Sequence, residues 1–154
     1  MNIKEEAKAV KLASPKMAGT SEEARNKALL EVVKQLKARR QEIFEANAMD
    51  LKQAEIDKVA APIIKRLKFD ETKLRDVIAG IEDLVKLEDP LFKQDMHRQL
   101  DEGLTLYRET CPIGVIGVIF EARPDALIQI SSLCIKSGNC VILKGGSETM
   151  NSNR

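Results

Sequence analysis

The chain has 154 residues, 44% of them hydrophobic and 32% charged, the composition of an ordinary folded domain rather than a disordered segment. Its 25 basic and 24 acidic side chains leave a net charge of +1, so charge gives no basis for binding nucleic acid or a membrane surface. No apolar run approaches the roughly 20 residues of a membrane helix, and the opening MNIKEEAKAVKLA mixes acids and bases where a secretory leader is apolar, so a cytoplasmic protein is expected.

Thr20 and Glu23 have the spacing of a helix capping box. Behind them, Leu29, Val32, Val33 and Leu36 form one apolar helix face. The pattern runs on through Ile43 and Phe44 toward Asn47, with a bend. A shorter helix starts near Pro62, because proline suits a first helical turn, and buries Ile63, Ile64 and Leu67. A third starts after Asp70, a good N-cap, with Leu74, Val77, Ile78, Ile81 and Leu84/Val85 on its inner face. Pro90 lies beyond its end. Charge runs such as Lys37 to Arg40 read as solvated faces, and the region as scaffold.

From Glu102 the period changes. Leu104 to Arg108 alternates as a strand exposed on one side does. Gly114 to Phe120 is a nearly continuous apolar run, the signature of a parallel strand buried on both faces. Pro124 and Asp125 suit a helix start, and Leu127, Ile130, Ser131 and Cys134 follow at helical spacing. Gly138 is placed to end that helix, and Cys140 to Leu143 is a second apolar strand. This is a βαβ unit with parallel strands and a right-handed crossover. Both strands then end at one edge of the sheet, where open α/β sheets bind ligands.

Two turns meet at that edge: Phe120-Glu-Ala-Arg-Pro124 and Lys144-Gly-Gly-Ser-Glu148. Their residue types suit an anionic ligand. Gly145 and Gly146 permit unusual φ and close backbone approach. Ser147 can cap a following helix, whose N-terminal amides attract negative charge. Lys144 offers a point charge for phosphate, Glu148 can accept from ribose hydroxyls, and Arg123 is a planar donor for carboxylate or phosphate. A structural βα turn with a surface lysine explains the pattern equally well, and neither common phosphate-binding glycine fingerprint is present.

Three cysteines without an apolar leader argue against a disulfide framework. Cys134 and Cys140 lie among apolar neighbours and read as buried small hydrophobes, and Cys111 as the least buried. The one histidine, His97, sits in the polar stretch KQDMHRQ, so a solvated side chain is expected and a zinc site is not. A lone βαβ unit also leaves open sheet edges, so these residues read as the opening of a larger α/β protein.

Cys111 to Glu148, CPIGVIGVIFEARPDALIQISSLCIKSGNCVILKGGSE, closely resembles the γ-glutamyl phosphate reductases (glutamate-5-semialdehyde dehydrogenases), within the aldehyde dehydrogenase superfamily. The motifs that carry the resemblance are P-x-G-V-x-G-x-I, E-A-R-P and K-S-G-N-x-V-I-L-K-G-G-S-E, in order. Arg25-Asn-Lys-Ala-Leu-Leu30, Glu45-Ala-Asn-Ala-x-Asp-Leu51, Glu88-Asp-Pro90 and the closing Asn151-Ser-Asn-Arg154 are also similar to the family. The resemblance implies N-terminal helices followed by the first βαβ unit of a Rossmann-like cofactor domain, incomplete here. Residues 1–99 would be its helical part, 100–112 a strand or ribbon segment and 113–154 the start of the NADP-binding sheet, with the catalytic domain absent. The complete enzyme would be a homo-oligomer that reduces L-glutamyl 5-phosphate with NADPH to L-glutamate 5-semialdehyde, in proline biosynthesis.

By the same resemblance, Lys144, Gly145, Gly146, Ser147 and Glu148 match the turn that holds the adenosine ribose, with Lys144 placed for the 2′-phosphate. Phe120, Glu121, Ala122 and Arg123 match the turn beside the nicotinamide and the reacting carbon, with Arg123 on the substrate's phosphate or carboxylate. The family's nucleophilic cysteine lies in a later domain, and none of the three cysteines here sits in its motif. The fragment alone is therefore expected to be inactive. A non-catalytic binding or oligomerisation module derived from the same family is the alternative. A piece of a bifunctional synthase with an upstream kinase is disfavoured by Met1, which stands directly before the family's first helix.

Overall fold

In the computed structural model, which describes residues 2–154, helix begins earlier than the apolar spacing suggests. α1 (Ile3–Ala18) is capped by Asn2, whose side chain accepts from the Lys4 amide. It buries no residue fully, so it lacks the strong apolar stripe that would announce it in the sequence. α2 (Glu22–Ala38) is capped by Ser21, which accepts from the Ala24 amide at 3.2 Å, and not by Thr20. Thr20 is already used. Its hydroxyl donates to the Met17 carbonyl at 2.7 Å and satisfies the end of α1. The expected bend is a break at Arg39 (φ −103°, ψ 18°), beyond which α3 (Arg40–Ile56) continues.

α4 (Ala61–Leu67) carries Pro62 in its first turn. α5 (Glu71–Lys86) starts at Asp70, whose carboxylate accepts from the Lys73 amide at 3.1 Å. Leu29, Val33 and Leu36 of α2 pack against Leu74, Val77, Ile78 and Ile81 of α5, with Phe69 closing the cluster. This is the core, and Val32 is only partly buried beside it.

β1 (Gln94–Asp101) and β2 (Leu104–Glu109) form an antiparallel ribbon that turns at Gly103, where φ is +72°. The stretch around His97, read as plain polar, is therefore a strand. The His97 and Tyr107 rings stack across the ribbon with centroids 4.8 Å apart. No residue of β2 is buried, and Met96 alone in β1 is half-buried. The ribbon is thus exposed on both faces, not one.

β3 (Val115–Ile119), α6 (Pro124–Lys136) and β4 (Cys140–Lys144) form the βαβ unit, with β3 and β4 parallel from Val115 opposite Cys140 to Ile119 opposite Lys144. α6 ends at Ser137, followed by Gly138 at φ +65°. A Cβ on Gly138 would lie 2.7 Å from a Leu91 methyl, so both backbone and space require glycine. α1 and α6 pack on the strand pair, while α6 also joins α2 and α5. Lys136, 3% exposed, donates to Glu22 and Asn26 at 3.0 Å each and locks α6 onto α2. The expected burial of β3 on both faces is not reached. Ile119 is 79% exposed, and the two-stranded pair leaves both sheet edges open. Among the described residues no helix is long and apolar enough to cross a membrane.

Candidate functional site

The ladder between β3 and β4 extends one step past the strands. The Phe120 amide donates to the Lys144 carbonyl at 3.1 Å, so the two turns leave the sheet side by side. Ala122 takes the left-handed conformation (φ +49°), rare for a residue with a Cβ. Its amide donates to the Glu148 carboxylate at 2.5 Å. Glu148 thus reaches back and ties the second turn to the first with one carboxylate oxygen, Oε1.

The glycines serve closeness rather than unusual φ, since neither Gly145 nor Gly146 has positive φ. A Cβ on Gly146 would collide with the Glu148 carboxylate, and one on Gly145 with the Asn153 amide. Ser147 is not a helix cap. It opens a single 3-10 turn (Ser147–Thr149) that carries no side-chain cap, and it is exposed. The buried Thr149 does the local tying. Its hydroxyl donates to the Gly146 carbonyl at 3.0 Å and accepts from Asn153 at 2.7 Å. Lys144 is exposed, with no ion-pair partner among the described residues.

α3 supplies a support that sequence reasoning missed. Asp50, 4% exposed, accepts from the Asn151 amide and side chain at 3.1 and 2.8 Å, and from the Ser152 amide and hydroxyl at 2.7 and 2.6 Å. These four donors replace the water that a buried carboxylate gives up. Three residues away, Asn47 accepts from the Phe69 amide at 2.7 Å and donates to the Leu67 carbonyl at 3.0 Å. Both residues lie within the Glu45–Leu51 stretch that resembles the reductases. No periodicity or motif marks their roles, because their partners are 20 to 105 residues away.

A cleft of about 740 Å³ opens between α3, α4 and the two turns, with Glu121, Ala122, Ser147 and Glu148 on one wall and Gln53 and Arg66 opposite. Arg66 also lines a neighbouring hollow of about 590 Å³, together with Lys65, Lys73, Arg123 and Asp125. The expected site residues therefore divide. Glu121, Ala122, Ser147 and Glu148 line the cleft, Arg123, 60% exposed, lines the basic hollow, and Phe120, Lys144, Gly145 and Gly146 line neither.

The cysteines lie elsewhere. Cys140 opens β4 at the end of the sheet away from the turns, and Cys111 precedes β3 on that same end and is exposed. Cys134 is buried in α6, and that burial, with Cys140 nearby, pushes its thiol above the ordinary value. A thiol so placed is poorly suited to act as a nucleophile.

No family model matches the chain. Among curated proteins, the γ-glutamyl phosphate reductase of Acetivibrio thermocellus is 55% identical over all 154 residues, which span 36% of that relative's length. Among solved structures, the γ-glutamyl phosphate reductase of Saccharomyces cerevisiae is 44% identical with a TM-score of 0.91, over 95% of this chain and 37% of the other. The Thermotoga maritima enzyme is 33% identical with a TM-score of 0.94, over 99% of this chain and 37% of the other. The chain thus covers little more than a third of the relatives it matches. Helices, ribbon and βαβ unit all fall within these alignments, and along its whole length the chain is similar to the N-terminal portion of γ-glutamyl phosphate reductases.

Proposed function

We propose that the chain supplies the dinucleotide-binding turns of an NADPH-dependent reductase that converts L-glutamyl 5-phosphate to L-glutamate 5-semialdehyde in proline biosynthesis. The observation that carries this reading is the bond from Ala122 to Glu148, which fixes two polar turns side by side above a cleft at the carboxyl edge of a parallel pair. The residues fit the cofactor. Lys144 offers an exposed ammonium for the 2′-phosphate, and the exposed Ser147 hydroxyl and the second oxygen of Glu148 can meet ribose hydroxyls. Bound NADPH would supply the hydride.

The nucleophilic thiolate that attacks the acyl carbon and releases phosphate belongs to a part of the enzyme outside this chain. Four residue steps of extended strand separate Cys140 from Lys144, about 13 Å, which puts that thiol at the wrong edge. The 154 residues alone are accordingly inactive, and the complete enzyme is a homo-oligomer.

Titrating the chain with NADPH and with NADH, followed by cofactor fluorescence, tests the reading. Lys144→Ala should weaken NADPH binding about tenfold, the loss of one charge contact, and leave NADH nearly unchanged. Equal losses for both cofactors, or no binding of either by the wild-type chain, would refute it.

A further inference from the structure

We propose that the basic hollow beside Arg123 recognises an α-amino-acid head group, a carboxylate with an ammonium on the adjacent carbon. The key residue is Asp125, in the first turn of α6. It is 7% exposed, and its Oδ1 has no hydrogen-bond partner. The nearest cations are Lys73, 3.7 Å from Oδ1, and Arg123, 3.7 Å from Oδ2. Both distances are too long for hydrogen bonds. Most ion pairs elsewhere in this chain close further, to 2.9 Å for Lys37 and Glu82 and to 3.0 Å for Lys136 and Glu22, while Arg40 and Glu71 stand 4.0 Å apart. The Asp125 cluster is instead held open.

Oδ1 is sealed from solvent while Oδ2 stays accessible, so a ligand N–H would meet Oδ2 and offset the cost of leaving this buried carboxylate without donors. The rest of the hollow selects the opposite charge. Lys65, Arg66, Lys73 and Arg123 surround the single carboxylate, so the hollow attracts anions. Lys73 spends one bond on the Arg66 carbonyl, at 2.7 Å, and keeps the remaining donors of its ammonium. A bare anion would satisfy these cations and leave Asp125 unpaired. A bare cation would be repelled by them. A ligand carrying carboxylate and ammonium side by side satisfies both.

Arg123 follows directly on Glu121 and Ala122 of the cleft wall, and Arg66 lines cleft and hollow alike. A side chain extending from a head group in the hollow therefore reaches toward the proposed cofactor turns. Resting on the proposed function, the head group is that of the glutamyl substrate. Arg123 then takes its α-carboxylate and Asp125 its α-ammonium, leaving the acyl phosphate toward the cleft.

The probes are L-glutamate and glutarate, the same dicarboxylate without the amine, titrated into the isotope-labelled chain and followed by amide shifts at Lys73, Arg123 and Asp125. L-glutamate should bind about tenfold more tightly than glutarate, and Asp125→Asn should abolish that preference. Lys73→Met should weaken both ligands together, and it keeps the test open if the Asp125 variant fails to fold. Equal affinity for the two ligands, or no shift with either, overturns the proposal. The NADPH titration is independent. Amino-acid discrimination without NADPH binding would leave this site standing and remove the cofactor reading, and the reverse result would do the opposite.

Discussion

Arg25 is the largest side chain buried almost completely, at 2% exposed. One guanidinium nitrogen bonds the Thr20 carbonyl and another the Asp89 carboxylate, which joins the start of α2 to the turn before the ribbon. Removing the cation would strand a partly buried carboxylate and a carbonyl. Arg25→Met should therefore cost about 3 kcal/mol, read as a lower denaturant midpoint with an unchanged slope. Both ends of this pair lie in stretches that resemble the reductases, Arg25–Leu30 and Glu88–Pro90. Resemblance singled them out, but nothing in the sequence says that residues 64 apart touch. The same holds for Lys136, which reads as the last basic residue of a helix and is in fact sealed between α6 and α2.

Among the elements, α5 was the most readable because its boundary and its face are both local. Asp70 caps it, and Leu74, Val77, Ile78 and Ile81 repeat at helical spacing into the core. The bond from the Lys73 amide, then that from Lys68, holds the Asp70 carboxyl below its ordinary value of 3.8. A depressed folded value means the cap stabilises above that pH and loses its contribution as pH falls through and below it. Asp70→Asn keeps an acceptor without the titration. Its stability should match the wild type near neutrality within about 0.5 kcal/mol, and the acid limb of the wild-type stability curve should flatten. A variant with an undiminished acid limb would assign that limb to other carboxylates. α1 and β1 were the unreadable elements for the converse reason. α1 buries nothing fully and β1 only half-buries Met96, so no periodic apolar residues mark them.

At the scale of the molecule, the apolar run of β3 promised a burial that the chain does not provide. Ile113 is 83% exposed and Ile119 79%, and no further strand pairs with these two among the described residues. Such edges pair with other strands. In isolation the chain should show concentration-dependent association in sedimentation experiments, and a variant with lysine at Ile119 should be more monomeric. A wild-type chain that stays monomeric across a wide concentration range would show the edges to be protected in solution. The βαβ topology and the two-turn edge were readable from chain order alone, since parallel strands must end together. The basic hollow was not, because α4, α5 and the turn after β3 meet there only after folding.

The Asp50 clasp on Asn151 and Ser152 has a consequence for how the protein is made. Asp50 leaves the ribosome about a hundred residues before its four donors exist, 101 to the first of them. α2 and α5 join residues nearer 45 apart, as the surface pair Lys37 and Glu82 beside their core illustrates. The helical core can thus consolidate during synthesis while Asp50 stays hydrated. The cleft wall closes later than the helical core, once Asn151 and Ser152 have emerged and displace that water.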